Sequence, residues 1–412
     1  MFTLTIIILM RSHKINHHRE QGLLDPLNLR RAESTRRIYC LELSRHRDVE
    51  IVNQGAVNSI DIDLIESRYL LSGQSDGTAA IHDLVNLTGS VKYTCKAVCK
   101  IDKNNKYRHN TSIQCVCWYP LDTGMFATSG TDKLLKVWDT NNLVPVDEYE
   151  FSGIVYQHDL SSIATKHCLI AVGCQSSKLK LVDLKSGSSS HMLRGHHSSI
   201  YCVKWSPKEE FILASGGADN RVLIWDVRSA KGALMVLDQL FGIFNVAGNT
   251  AHHGAINGLT FTADGLHLIS CGTDNCIRLW DATSGKNCLI NYGKIPNDTK
   301  KLVQLGVNSG CSCDVLFVPN RSNIDIFDIF TGEKIERLKG HYNAVNCCKF
   351  HSLTQDLYSG GNDRNILIWT PDTDSSYDDY LKSQSTLQEE LNDVVRSNRS
   401  TVMVDTWSSD ED

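Results

Sequence analysis

No apolar run in this 412-residue chain is long enough to cross a bilayer. The nearest approach, residues 2–10 (FTLTIIILM), has no positive residue before it and is followed by Arg11, Lys14 and Arg19, not by a small-residue cleavage site. It reads as neither signal peptide nor membrane anchor, and residues 1–20 are an extension of unassigned role. The chain also lacks a dense basic stripe. Its net charge is -5, but residues 372–412 hold eleven acids against three bases, which leaves the remainder near +3. So even a spread of charge does not favour phosphate neutralisation, and no direct nucleic-acid contact is expected. Finally, no complete metal-ligand pattern is present. Cys95/Cys99, Cys115/Cys117 and Cys311/Cys313 lack a second half at zinc-site spacing. The fifteen cysteines are odd in number and lie largely inside strand-like runs, as expected of reduced thiols acting as small hydrophobes in a reducing compartment.

What the chain does have is repetition. Residues 195–228, GHHSSIYCVKWSPKEEFILASGGADNRVLIWDVR, open on Gly-His and close on Ile224-Trp225-Asp226. Between them lie short apolar, β-branched and aromatic runs separated by polar turn chemistry, which predicts a small antiparallel sheet. One such sheet cannot bury both faces, so several must pack around a ring. The motif is that of a WD repeat. The expected fold is all-β: a seven-bladed WD-repeat β-propeller over residues 37–371, with a short N-terminal helical segment over 21–36 and a disordered acidic C-terminal tail over 372–412.

The register supports the count. Asp76, Asp132, Asp219, Asp274 and Asp363 each stand six residues before His82, Trp138, Trp225, Trp280 and Trp369. The intervals of 87 residues from Trp138 to Trp225 and 89 from Trp280 to Trp369 each leave room for one degenerate blade. These end near Asp183 and Asp328. Three blades keep an opening histidine: His196, His252 and His341 precede Asp219, Asp274 and Asp363 by 23, 22 and 22 residues, with Ser215, Ser270 and Ser359 four residues before each aspartate. With Trp225, Trp280 and Trp369 they form three structural tetrads. A Ser-His-Asp set invites a hydrolase assignment, but repetition in separate blades and linkage to tryptophan argue for internal bonding, and no enzyme is expected.

Around the repeats, Asp25 is placed to cap a helix that has Pro26 at its first position. Leu23, Leu24 and Leu27 either pack on the side of the propeller or form part of a docking surface. Residues 37–43 (RIYCLEL) are expected to complete the last blade and so protect two sheet edges. Longer connections fall at 85–111 and 233–251; the second carries Leu240, Phe241, Ile243 and Phe244, which either pack over the rim or form a partner-binding patch. The acidic end, Trp407 followed by SSDED, suits phosphorylation or a docking peptide beside the simpler role of a solvated tail.

The segments RRAESTRR (30–37), YTCKAVC (93–99), WYPLDTGMF (118–126), LKVWDTN (135–141), TKHCLIAVG (165–173), DGLHL (264–268), LKGHY (338–342) and the terminal WSSDED together resemble the Cockayne syndrome group A family of WD-repeat proteins. That resemblance implies a nuclear, non-catalytic substrate receptor without cofactor or metal, acting in transcription-coupled nucleotide excision repair. It would dock through the N-terminal helical segment (Leu23, Leu24, Leu27) and the propeller base onto DNA damage-binding protein 1 of a cullin-RING ubiquitin ligase. The opposite face would recruit the Cockayne syndrome group B ATPase and the RNA polymerase II complex. Trp225, Asp226 and Arg228 match the Trp-Asp-x-Arg box of ligase receptors, whereas Asn141 and Thr283 hold the position of Arg228 in other blades. The alternative is a WD scaffold for chromatin or ribonucleoprotein assembly with no ligase attached.

Overall fold

The computed structural model describes Gly22 and residues 25–371 except 53, 86–92, 230–231, 240–249, 298 and 300. Seven antiparallel sheets follow one another around a ring. In six of them four strands are paired, and the fifth pairs three, Ile256–Phe261, His267–Gly272 and Ile277–Asp281. The molecule is a seven-bladed β-propeller with one helix near the N-terminus. No helix among the described residues is long and apolar enough to cross a membrane.

Sequence alternation decides which strands lie inside. The outermost strand of the second blade, Val144–Glu150 (VPVDEYE), alternates exposed and half-buried positions. The second strands, such as Ile212–Gly217 (ILASGG), are buried almost throughout because neighbouring blades cover both faces. Blade-to-blade packing needs residues without side chains at a few points. A Cβ on Gly216 would stand 2.6 Å from Ile256 Cγ2 of the fifth blade, and one on Gly360 would stand 2.5 Å from Val57 Cγ1 of the first.

The innermost strands are edges facing the central channel, and edge N–H groups need acceptors. Side chains of other blades supply them, from the adjacent blade in three cases and, for Gln304, from the sixth blade across the seventh to the first. Asp61 accepts from Trp118 N at 2.9 Å, Gln157 from Val203 N at 2.8 Å, Asp159 from Trp205 N at 2.7 Å and Gln304 from Ile60 N at 3.2 Å. Lys204 pairs with Asp159, and Lys349 with Asp61.

The N-terminal region differs in its boundaries from the sequence expectation. Helix α1 spans Pro26–Tyr39, not 21–36, and Asp25 accepts from Leu27 N at 3.1 Å. The strand is only Leu41–Leu43, beside Ile366–Pro371 of the seventh blade, so it completes that blade but does not begin at residue 37. No breaker interrupts residues 30–39, and extending the helix puts Ile38, 0% exposed, among Phe317, Ile324 and Trp369. The connection 85–111 is not merely a loop: it contains Tyr93–Cys95, paired in parallel with Arg47–Val49, and Ala97–Ile101, the fourth strand of the first blade. Likewise 233–251 supplies Met235–Leu237 to the fourth blade. Leu240, Phe241, Ile243, Phe244 and the acidic tail lie outside the described residues.

Because Gly360 meets Val57 where the last blade abuts the first, Gly360→Val should lower the stability of the whole ring by about 1–3 kcal/mol through overpacking. A reduced thermal-unfolding midpoint is expected; an unchanged midpoint would refute the close-packing account.

Candidate docking face and the bonding sets behind it

Four of the blades hold a directed chain of hydrogen bonds. In the fourth blade Trp225 Nε1 donates to Ser215 Oγ at 2.8 Å, Ser215 Oγ lies 2.7 Å from His196 Nε2, and His196 Nδ1 lies 2.9 Å from Asp219 Oδ2. Since the indole can only donate and the carboxylate only accept, the serine proton points to Nε2 and the imidazole proton sits on Nδ1. The fifth blade repeats this with Trp280, Ser270, His252 and Asp274, and the seventh with Trp369, Ser359, His341 and Asp363. All three serines are 0% exposed. Their Oγ atoms are held between an indole and an imidazole, where no substrate carbonyl reaches them.

A fourth set escaped the sequence analysis. In the second blade Trp138 Nε1 donates to Thr128 Oγ1 at 2.8 Å, His109 Nε2 lies 2.7 Å from that oxygen, and His109 Nδ1 lies 2.8 Å from Asp132 Oδ2. The signal was available. His109 precedes Asp132 by 23 residues, but threonine replaces serine and arginine replaces the glycine before the histidine. The other blades make different arrangements: His82 stands at the tryptophan position of the first and contacts Glu50 O at 3.1 Å, and His158 of the third reaches Ser129 of the second at 2.8 Å.

The electrostatics follow from burial. Desolvation lowers the His252 and His341 pKa values against the pull of their aspartates, and pushes His158 down to about 3. Burial opposes the charge of Asp219 and Asp132 as well, yet the hydrogen bonds from His196 and His109, helped by backbone N–H groups, outweigh it and hold both carboxyls below their ordinary value.

The strand connections divide the molecule into two faces. Loops joining first to second and third to fourth strands leave each sheet at one end. The tetrad aspartates and histidines lie at the other. Arg228 follows the third strand of the fourth blade, Val222–Asp226, and so lies on the first of these faces. Its Nε and Nη2 donate to Asp226 at 3.0 and 2.8 Å, its guanidinium lies 4.6 Å from the Phe211 ring centroid, and its side chain is 62% exposed. The fork holds the Asp226 carboxyl below its ordinary value and leaves Nη1 on the side away from it. Trp225, by contrast, is wholly buried. It supports the box from beneath and offers no surface to a partner.

Helix α1 sits at this same face. Thr35 Oγ1 accepts from Ser312 N at 2.9 Å, in the loop between the first and second strands of the sixth blade, Gly306–Val307 and Val315–Asn320, and Ala32, Thr35 and Ile38 form its buried stripe. Leu27 is 65% exposed near the free end, so it does not pack on the propeller side; Leu23 and Leu24 lie outside the described residues. Sequence inspection missed a further feature, a series of exposed apolar residues in the first-to-second-strand loops: Leu64, Ile65, Leu121, Leu266 and Leu353. Leu64 and Ile65 share one loop and the others sit in separate repeats, so only the closed ring brings them onto one face.

Two predictions follow from the buried sets. Replacing His109 by alanine leaves Thr128 and Asp132 short of a partner and should cost about 1–3 kcal/mol; denaturant titration showing no loss would remove it from the bonding set. For pH, burial lowers the pKa of His252, His341 and His158 in the folded chain, the last to about 3, while the unfolded chain takes up protons near 6.5. Stability from them is complete above pH 6.5 and is lost as pH falls below it, for His158 on the order of 1 kcal/mol per pH unit. Unfolding midpoints measured from pH 7 to 5 should fall, and His158→Asn should flatten that slope.

Comparison with known proteins fits this geometry. The family model "WD domain, G-beta repeat" matches residues 103–139, 187–226, 245–281 and 332–370, the four stretches that contain the four tetrads. The chain is 34% identical to "WD repeat-containing protein ATCSA-1" of Arabidopsis thaliana, over 86% of its own length and 94% of that protein. It is 26% identical to "Radiation-sensitive protein 28" of Saccharomyces cerevisiae, over 42% of this chain and 38% of that one. It is 25% identical to "Histone acetyltransferase type B subunit 2" of Debaryomyces hansenii, over 52% of each.

Proposed function

We propose, from the premise that this chain belongs to the WD-repeat family, that it is a non-catalytic substrate receptor of a cullin-RING ubiquitin ligase, acting in the nucleus in transcription-coupled nucleotide excision repair. WD propellers of this kind generally serve as scaffolds for protein–protein contact, and no catalytic family is indicated. The observation that carries the finer assignment is the likeness to a relative whose name bears the letters CSA, the abbreviation of Cockayne syndrome group A, across nearly the whole of both chains.

The geometry supports that assignment in a specific way. Arg228, the exposed end of α1 at Leu27 and the apolar loop residues Leu64, Leu121 and Leu353 share one face. A partner docked there would cover scattered apolar side chains and meet one guanidinium already oriented by Asp226. Preorganisation of that kind limits the entropy lost on binding. We assign this face to DNA damage-binding protein 1 and the opposite face to the Cockayne syndrome group B ATPase and the RNA polymerase II complex.

The second assignment, a chromatin or ribonucleoprotein scaffold without a ligase, draws on the relative named as a histone acetyltransferase subunit, at lower identity and over half the chain. Affinity purification that returned histone or RNA complexes and no cullin would favour it.

Arg228 is exposed and, among the described residues, bonds to Asp226 and lies over Phe211, so Arg228→Ala should leave the unfolding midpoint unchanged. Combined with Leu27→Asp, it should weaken capture of purified DNA damage-binding protein 1 by about tenfold or more. Full recovery by the double variant would sink the docking assignment.

A further inference from the structure

The fourth blade differs from the others at Arg228 and also at the residue beneath it. In six blades the residue that follows the third strand donates to the carbonyl of the residue just before the second: Val227 N to Phe211 O at 3.0 Å in the fourth, Thr140 N to Gly124 O at 2.9 Å in the second, Ala282 N to Leu266 O at 2.9 Å in the fifth. The first, third and sixth blades make the same bond to Arg68, Cys168 and Asp314. These bonds align the six blades residue by residue. Outside the fourth, no acceptor is aromatic and no donor is followed by arginine. The arginine and the aromatic ring therefore occur together, in one blade.

An exposed arginine has many rotamers, and two contacts restrict this one. Asp226 takes Nε and Nη2, which fixes one edge of the guanidinium. An edge contact by itself leaves the group able to swing about that edge. Phe211 restrains the swing, because the guanidinium carbon lies over its ring at 4.6 Å from the centroid. A cation over a ring face is attracted by the quadrupole of the ring, a pull that an aliphatic side chain does not supply. Asp226 does not engage Nη1, so edge and face together present that nitrogen in one orientation.

The ring is itself held, and by a different blade. Phe211 is half-buried, and the His167 ring of the third blade lies against it at 5.4 Å between centroids. On its other side His167 meets Trp205, at 5.1 Å, which is buried. His167 Nδ1 accepts from Leu169 N at 3.3 Å, so Nε2 carries the proton and donates to Glu210 O at 2.9 Å. The Glu210 carboxylate accepts in turn from Thr165 N at 2.9 Å and Lys166 N at 2.6 Å. The residue before Phe211 thus fastens the loop of the third blade to that of the fourth, with the ring at the junction.

We propose that Phe211 is a positioning residue for docking: its ring holds the plane of Arg228 so that Nη1 meets an oxygen acceptor of the partner already oriented. This role rests on the assignment of the Arg228 face to DNA damage-binding protein 1. Phe211 acts on the partner through the guanidinium and not by its own contact. The gain is entropic, since a side chain ordered before binding loses less freedom on binding. It also makes docking at the fourth blade depend on the third, because His167 and Glu210 anchor the ring that Arg228 rests on.

A double-mutant cycle tests it, with the affinity of the full-length chain for purified DNA damage-binding protein 1 as the readout and the unfolding midpoint of each variant measured beside it. Phe211→Leu keeps the apolar bulk without the ring face and should weaken binding about twofold to fivefold. Phe211→Tyr, which keeps the face, should bind as the unaltered chain does. In an Arg228→Ala background Phe211→Leu should add no further loss. Phe211→Met takes the place of the leucine variant if that one does not fold. A role in packing alone gives another pattern: a loss in Phe211→Leu that adds in full to that of Arg228→Ala and follows a lowered midpoint. That additive pattern, unaltered affinity in Phe211→Leu, or no rescue by tyrosine would overturn the role of Phe211 while leaving the docking assignment in place. Unaltered affinity in Arg228→Ala would remove Arg228 from the docking face, and the role of Phe211 with it.

Discussion

A buried indole N–H must be given an acceptor, and in this protein that requirement fixes the shape of four blades. The tryptophan sits in the third strand, its serine or threonine acceptor in the second, the histidine in the loop entering the first, and the aspartate in the turn between second and third. One chain of bonds therefore pins four separate pieces of backbone. Each bond contributes only about 0.5–1.5 kcal/mol net, but losing one member leaves others unpaired in a dry interior, which is the larger effect. In the fifth and seventh blades burial lowers the pKa of His252 and His341, which favours the neutral imidazole that the direction of the chain requires.

Between blades a different device operates. Inner-strand N–H groups that face the channel find acceptors on other blades, through Asp61, Gln157 and Asp159 on the adjacent blade and Gln304 one blade further on. Gly216 and Gly360 let the adjoining apolar side chains approach. The third, sixth and first blades, which lack the tryptophan-centred set, are held by these contacts with their neighbours and by substitutes such as the Asp325 pairs and the His158–Ser129 bond. Leu41–Leu43 then joins the chain's beginning to its last blade, and α1 is carried along by Ile38.

This rigid ring separates two surfaces with different chemistry. One gathers Arg228, α1 and single apolar residues from several loops. At the other, the tetrad carboxylates are largely withdrawn behind their histidines.

Much of this was written in the sequence. The six-residue interval from aspartate to tryptophan, the Gly-His openings and the alternating runs determine seven small sheets, because strand periodicity and turn chemistry are local properties. Asp25 and Pro26 likewise mark the start of α1. Other features depended on what came together in space. His109 belongs to a tetrad because threonine can accept an indole N–H as serine does, and α1 runs past residue 36 because Ile38 finds a pocket on two distant blades. The shared face of Leu64, Leu121, Leu353 and Arg228 exists only when the ring closes. Residues far apart in the chain carry no mutual signal along it, and only the tertiary structure decides that they are neighbours.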